Sequence, residues 1–276
     1  MSTGLDYSAY PHLVAFVTGA ASGLGLATAT AFAESGVTKL VLVDLNLDSL
    51  RTAEATVAEA AQARGHAVQT ELVAVNLAEE AACEGAVEQA VSRFGRVDLC
   101  VNCAGINQRP RGLTHELDVS TLDGLHAVNM RGLWMTQRAQ LRAMLKQDPL
   151  PTRPSDAGLR GAIVNISSNS AFAPLANIGA YALGKAGVVS LCHVDGKAYA
   201  DKGIRVNGIA PGIIATGMNV SSRAAGETFA TMLERTPAGR IGEAAEIAQA
   251  ALFLCHPLTT YIHGQTLTVD GGYSLA

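Results

Sequence analysis

The stretch LVAFVTGAASGLGLATATAFAESG, residues 13–36, runs from an apolar segment through a glycine-rich turn into a row of small residues that closes on Gly36. The apolar part, 13–19, is too short for a helix and reads as a buried strand. The part from 23 to 36 reads as a helix. Glycines at 19, 23 and 25 let the backbone turn tightly and approach a ligand closely. The first turn of the helix offers free N–H groups and the positive end of a dipole, which suit a pyrophosphate. The spacing is TGxxxGxG rather than GxGxxG, and a tight structural turn would use the same glycines.

Outward from this unit the alternation repeats. Further strands are expected at 39–45, 67–76, 97–105, 161–168, 203–212 and 264–272. Helices are expected at 49–65, 79–95, 121–147, 179–202 and 243–255. Alanine and glutamate content and closing glycines support the helices. Strict alternation implies an α/β fold. The expected form is a doubly wound, Rossmann-type parallel sheet of seven strands with helices on both faces. Residues 13–276 are expected to form one domain, preceded by a loosely held tail, 1–12. The Pro- and Gly-rich stretch at 147–161 reads as a surface insertion.

The whole chain has 276 residues, 49% hydrophobic and 16% charged, with a net charge of −4. A nucleic-acid partner is not suggested, since phosphate binding needs clustered Lys and Arg. Cys83, Cys100, Cys103, Cys192 and Cys255 are scattered and odd in number. Cys100 and Cys103 form a CxxC without a second one, so no metal site is expected. Free buried thiols fit a reducing compartment. No run reaches membrane-spanning length and the start lacks a signal peptide, so a soluble, cytoplasmic protein is expected.

Two features point to chemistry. Asp44 ends the second strand, where a carboxylate can accept hydrogen bonds from both ribose hydroxyls of an adenosine. It would repel a 2′-phosphate. No Arg or Lys occurs at 18–25, and Leu45 follows, so NAD is expected over NADP. In YALGK, 181–185, a tyrosine stands four residues before a lysine, which places both on one helix face.

With TGAASGLG (18–25), NCAG (102–105), VNMRG (128–132), NISS (165–168), YALGK, APG (210–212) and DGG (270–272) in this order, the chain resembles the classical short-chain dehydrogenases/reductases over about 12–272. The resemblance implies hydride exchange between a nicotinamide cofactor and a secondary alcohol or its ketone. It implies Asn129, Ser168, Tyr181 and Lys185 as the catalytic set. Ser168 is preferred to Ser167 because the family spaces its serine thirteen residues before the tyrosine, and 181 − 168 = 13. Tyr181 would be the acid/base, with Lys185 lowering its pKa and holding ribose hydroxyls. Ser168 would orient the substrate oxygen, and Asn129 would fix a water beside Lys185. Cofactor contacts are implied from Gly19, Ser22, Gly23, Leu24 and Gly25 in the turn. Others are implied from Asp44, Leu45, Asn76, Leu77, Asn102, Ala104, Gly105, Pro211, Gly212, Ile214 and Thr216. Cys103, Asn76 and Gly184 depart from the family's usual Asn, Asp and Ser.

Around the substrate, Ser168, Ser170, Tyr181 and Met218 are expected contacts, with Phe172, Leu175 and Asn177 bordering them. A mobile lid is expected at 216–240, with Phe229, Met232 and Leu233 among its apolar residues. That lining favours a bulky hydrophobic substrate, a cyclic one among the candidates. Arg109 and His115 are candidate substrate contacts in the loop after the fourth strand. His193 and Asp195 are assigned to an interface or a core hydrogen bond. The family pattern implies a homodimer or homotetramer. Two other readings remain open: an NADPH-dependent ketone reductase, and a dinucleotide-binding sensor or scaffold without turnover.

Overall fold

The computed structural model describes residues 5–150, 158–216 and 232–275. Strands and helices alternate as β1 (Val14–Thr18), α1 (Gly23–Glu34), β2 (Lys39–Asp44), α2 (Leu47–Ala63), β3 (Gln69–Ala74), α3 (Glu80–Phe94) and β4 (Leu99–Asn102). They continue with α4 (Val119–His126), α5 (Leu133–Met144), β5 (Gly161–Ile166), α6 (Gly179–Ala198) and β6 (Ile204–Pro211). A short pair, β7 (Ile214–Ala215) and β8 (Gly242–Glu243), precedes α7 (Ala244–Cys255) and β9 (Thr266–Val269). The seven-stranded sheet has the order β3-β2-β1-β4-β5-β6-β9, and every pairing in it is parallel.

The central strands are buried and mostly apolar because both faces are covered, with single polar residues such as Asn102 and Asn165 set among the apolar ones. On β1, Ala15 and Val17 join a core with Phe32, Val57 and Leu252 from α1, α2 and α7. Val14 and Phe16 point the other way, against Val87 and Met135 from α3 and α5. Burying a side chain such as Phe16 is worth about 1.5–3 kcal/mol. Local signals set the helix ends. Asn46 caps α2 by accepting from Ser49 N–H at 2.9 Å, and Asp118 caps α4 through Ser120 N–H at 2.8 Å. The chain runs outward in both directions from β1 and β4, which leaves a crevice at their C-terminal ends.

Two expectations need correction. The helix read as continuous over 121–147 is three pieces, α4, a π-helical segment at Ala127–Gly132, and α5. The segment read as a loose tail is docked from residue 5 onward. Tyr7 is fully buried, donates its hydroxyl to Leu252 O at 2.6 Å, and packs edge-on against Phe32 and His256. An aromatic ring and a backbone pairing with Ser35 O outweigh the entropy of ordering this short segment. Of the insertion at 147–161, residues 151–157 lie outside the described residues, and Leu150 bridges to Leu159 at its base.

Candidate active site

The crevice holds a cavity of about 450 Å³. Its floor at one end is the turn between β1 and α1. Gly19 has φ +66°, and a Cβ on Gly25 would stand 2.1 Å from Gly19 O. Only glycine fits both places, so the backbone there is bare toward the cavity. Gly19, Ser22, Gly23, Leu24 and Gly25 all line it. Asp44 closes this end. One carboxylate oxygen accepts from Ala21 N–H at 3.0 Å, the other from Leu45 N–H at 2.7 Å. The acid thus fixes the glycine turn to β2, and its remaining lone pairs suit ribose hydroxyls. Asp44, Leu45, Asn76 and Leu77 line the cavity. The Asn76 side-chain oxygen also accepts from Ala78 N–H at 3.0 Å.

Beyond β4 the chain turns and is held by hydrogen bonds from its neighbours. Thr18 Oγ1 accepts from Ala104 N–H at 3.1 Å. Asn129, fully buried on the π-helical segment, grips Ile106 twice: its Oδ1 accepts from Ile106 N–H and its Nδ2 donates to Ile106 O, both at 2.8 Å. Both ends of the Asn129 amide are thus bonded to the backbone of Ile106. This side chain positions the Ala104–Ile106 wall, and Gly105 fits against it with space for a Cβ only 3.2 Å from Asn129 Oδ1. Ala104 and Gly105 line the cavity.

Asn102 is not among the residues that line the cavity. Its side chain lies behind the cavity in a row of buried amides. Asn102 and Gln140 exchange hydrogen bonds in both directions, at 3.1 and 2.9 Å. Asn102 Nδ2 donates to Asn165 Oδ1 at 2.9 Å. Asn165 Nδ2 donates to Gln137 Oε1, and Gln137 Nε2 donates to Asp195 Oδ2, each at 2.5 Å. A polar residue inside the sheet must find such partners. Asp195 accordingly makes the core hydrogen bond expected of it, while His193 is exposed.

Ser168, Tyr181 and Lys185 converge on the other end. Ser168 follows β5, and Tyr181 and Lys185 lie one turn apart on α6. The Ser167 hydroxyl is used elsewhere, donating to Lys185 O at 2.7 Å, so the choice of Ser168 agrees with the geometry. Surrounding protein pushes the Tyr181 phenol above its ordinary value, and a hydrogen bond with Ser168 pulls it back. Lys185 is 4% exposed. Its Nζ donates to Ile166 O at 2.8 Å and lies 5.8 Å from the Tyr181 ring centroid. Burial depresses the ammonium to about 8.

Ser170 and Leu175 line the cavity, as do Pro211, Gly212, Ile214, Thr216 and Met232. Phe172, half exposed at 51%, Asn177, Leu233, Arg109 and His115 are not among its lining residues. Met218 and Phe229, with most of the expected lid, lie outside the described residues. Several lining residues went unsuspected, among them Ile106 and Ile178 in the apolar wall and two polar ones, Arg111 and Gln108. Arg111 stands two positions beyond Arg109. Gln108 is 2% exposed; its Oε1 accepts from Tyr181 N–H at 3.1 Å and its Nε2 donates to Asn177 O at 3.2 Å. An uncharged residue in a polar loop gives no sequence signal of such a role. Cys103, where the family usually has Asn, also lines the cavity, and burial pushes its thiol up to about 12.

Comparison with known proteins agrees with this geometry. A family model described as enoyl-(acyl carrier protein) reductase matches residues 19–274. Galactitol 2-dehydrogenase (L-tagatose-forming) of Cereibacter sphaeroides is 39% identical over 266 residues, covering 95% of this chain and 94% of that protein. Cis-4-hydroxycyclohexanecarboxylate dehydrogenase of Sinomonas cyclohexanicum is 34% identical, covering 96% of this chain and 98% of that protein. A solved dehydrogenase structure from Agrobacterium tumefaciens with bound NADP is 30% identical at a TM-score of 0.80, covering 97% of this chain and 98% of that one. With a glycine turn over β1, a serine after β5 and a tyrosine on α6 lining one crevice, and Lys185 buried one turn beyond that tyrosine and outside the lining, the chain belongs to the short-chain dehydrogenase/reductase family.

Proposed function

We propose that this oxidoreductase interconverts a secondary alcohol and its ketone with NAD as cofactor. One observation carries the reading: the cavity joins the Gly19–Gly25 turn and Asp44 at one end to Ser168 and Tyr181 at the other. The bare turn fits a pyrophosphate on helix N–H groups, and Asp44 fits the ribose beyond it. Lys185 fits the ribose at the opposite end. A bound nicotinamide supplies the site that gives or takes hydride. The protein moves the proton. Tyr181 Oη takes it from the carbinol oxygen in oxidation and returns it in reduction, while the Ser168 hydroxyl donates to that oxygen and stabilises its negative charge. Asn129 and Gln108 hold the two walls that bring these groups together.

The apolar wall of Ile106, Leu175, Ile178 and Met232 supports a hydrophobic substrate body, and the relative from Sinomonas supports a cyclic one. NADPH-dependent ketone reduction is the second reading, favoured by the NADP in the Agrobacterium relative. Asp44 argues against it. Exposed Val119, Trp134, Leu183 and Val194 on α4–α6 support a homodimer or homotetramer. Free cysteines, four of them buried, support a cytoplasmic location.

Fluorescence titration with NADH and NADPH in parallel tests the cofactor. Tighter NADH binding is expected, and Asp44→Ala should shift the ratio toward NADPH by about tenfold or more. A wild-type preference for NADPH would overturn the Asp44 argument. Turnover that persists undiminished in Tyr181→Phe would overturn the mechanism.

A further inference from the structure

The cavity carries opposite charges at its two ends. Among its described lining residues, Asp44 is the one acid and Arg111 the one side chain that is a guanidinium or ammonium. Asp44 ends β2, three strands from β5 in the sheet order, a span of about 14 Å at ordinary strand spacing. Arg111 belongs to the other end. Its neighbour Gly112 donates N–H to Asn177 O at 3.1 Å, and Gln108 binds both Asn177 O and Tyr181 N–H. These bonds seat the 108–112 loop against the start of α6, where Tyr181 stands. Arg111 is exposed, and no ion pair among the described residues engages it. Beside it the wall is apolar or neutral: Ile106, Asn107, Leu175, Ile178 and Met232.

An entirely apolar substrate would leave Arg111, at the cavity wall, without an anion to bind. We propose that the substrate is a secondary alcohol or ketone bearing a carboxylate or similar anionic group away from the reacting carbon, and that Arg111 binds that group. The proposal rests on the dehydrogenase reading above and narrows it. The ring or chain lies on the apolar wall and the anion on Arg111. A guanidinium presents a planar fork that matches two carboxylate oxygens. Because the cavity mouth is open to water, the gain is modest and salt screens it.

The test compares kcat/KM for 4-hydroxycyclohexanecarboxylate, its carboxamide and 4-methylcyclohexanol, with the corresponding ketones in reverse, each with both cofactors. The intact protein should prefer the carboxylate over the isosteric carboxamide by roughly tenfold, mainly in KM. The preference should shrink in about 0.5 M salt. Arg111→Ala should bring the ratio to about one, and Arg111→Lys should recover part of it. Equal values for acid and amide in the wild type, or a ratio that survives in Arg111→Ala, would overturn the proposal and leave the dehydrogenase reading standing. No turnover of any probe in either direction with either cofactor would overturn both. The wild-type ratio alone decides the matter should the variants not fold.

Discussion

Replacing Gln108 by alanine removes two hydrogen bonds that join the loop after β4 to the helix carrying Tyr181. Both are in a buried place, since Gln108 is 2% exposed. Tyr181 N–H belongs to the first turn of α6, which has no partner inside the helix, and Ile178 at the N-cap offers no side-chain bond. Gln108 caps the helix from a distance. Each bond is worth about 1 kcal/mol, and leaving a buried donor and acceptor unpaired raises the joint cost to roughly 2–3 kcal/mol. At about 2–4 °C per kcal/mol for a chain of this size, melting should fall by roughly 4–12 °C. Loosening the first turn displaces the phenol while leaving the glycine turn untouched. So kcat should fall about tenfold, which is 1.4 kcal/mol, with cofactor KM changed less than about twofold. Gln108→Glu is the control. It can still accept from Tyr181 N–H but has no donor for Asn177 O, so it should lose stability while recovering part of kcat. Differential scanning fluorimetry and steady-state kinetics read both quantities. An alanine variant that melts within about 1 °C of wild type would refute the energetic argument. One that loses stability but keeps wild-type kcat would refute the positioning role.

Ser168→Ala removes the hydrogen bond that lowers the Tyr181 phenol. The acidic, rising limb of the pH–rate profile for alcohol oxidation should move to higher pH, and rate at neutral pH should fall by about a hundredfold or more. Lys185, depressed to about 8 from 10.5, binds fewer protons folded than unfolded between those values, so stability should rise with pH across that window. Lys185→Met should lose this rise, about 3 kcal/mol at most, in urea titrations at pH 7.5 and 10. Tyr7→Phe deletes the bond to Leu252 O and should cost about 1–2 kcal/mol by chemical denaturation. A variant as stable as wild type would mean that the amino-terminal segment contributes packing alone.

The order of elements was legible because parallel strands buried on two faces are largely apolar runs, as residues 13–17, 40–43 and 161–164 are. The glycine turn was legible because φ +66° at Gly19 and the contact at Gly25 exclude side chains. The π-helical segment was not. A register slip of one residue in AVNMRG leaves the apolar period of 121–147 nearly intact, yet it is what turns Asn129 onto Ile106. Gln108 and Arg111 were missed for a different reason. Their roles depend on where a loop of irregular backbone lands against α6, and Arg109 had the same sequence credentials as Arg111. Tyr7 was missed because its partners, Phe32, Leu252 and His256, come from far along the chain and only the fold assembles them.

The buried amides between β4 and α6 have a consequence for orientation. A row of neutral carboxamides can satisfy itself equally well pointing either way, because every carbonyl and amino end can be exchanged together. Asp195 ends that ambivalence. An ionised carboxylate only accepts, so Gln137 must turn its amino group to it. The carbonyl of Gln137 is then left for Asn165, and the carbonyl of Asn165 for Asn102. One anion near the surface of α6 thereby sets the polarity of three successive dipoles, the last of them at the tip of the strand that leads into the crevice. Asp195→Asn would keep every atom in reach of its neighbour and restore two nearly equal directions. A sequence can hold a charge in place for the sake of a vector, with neither ligand nor ion pair involved.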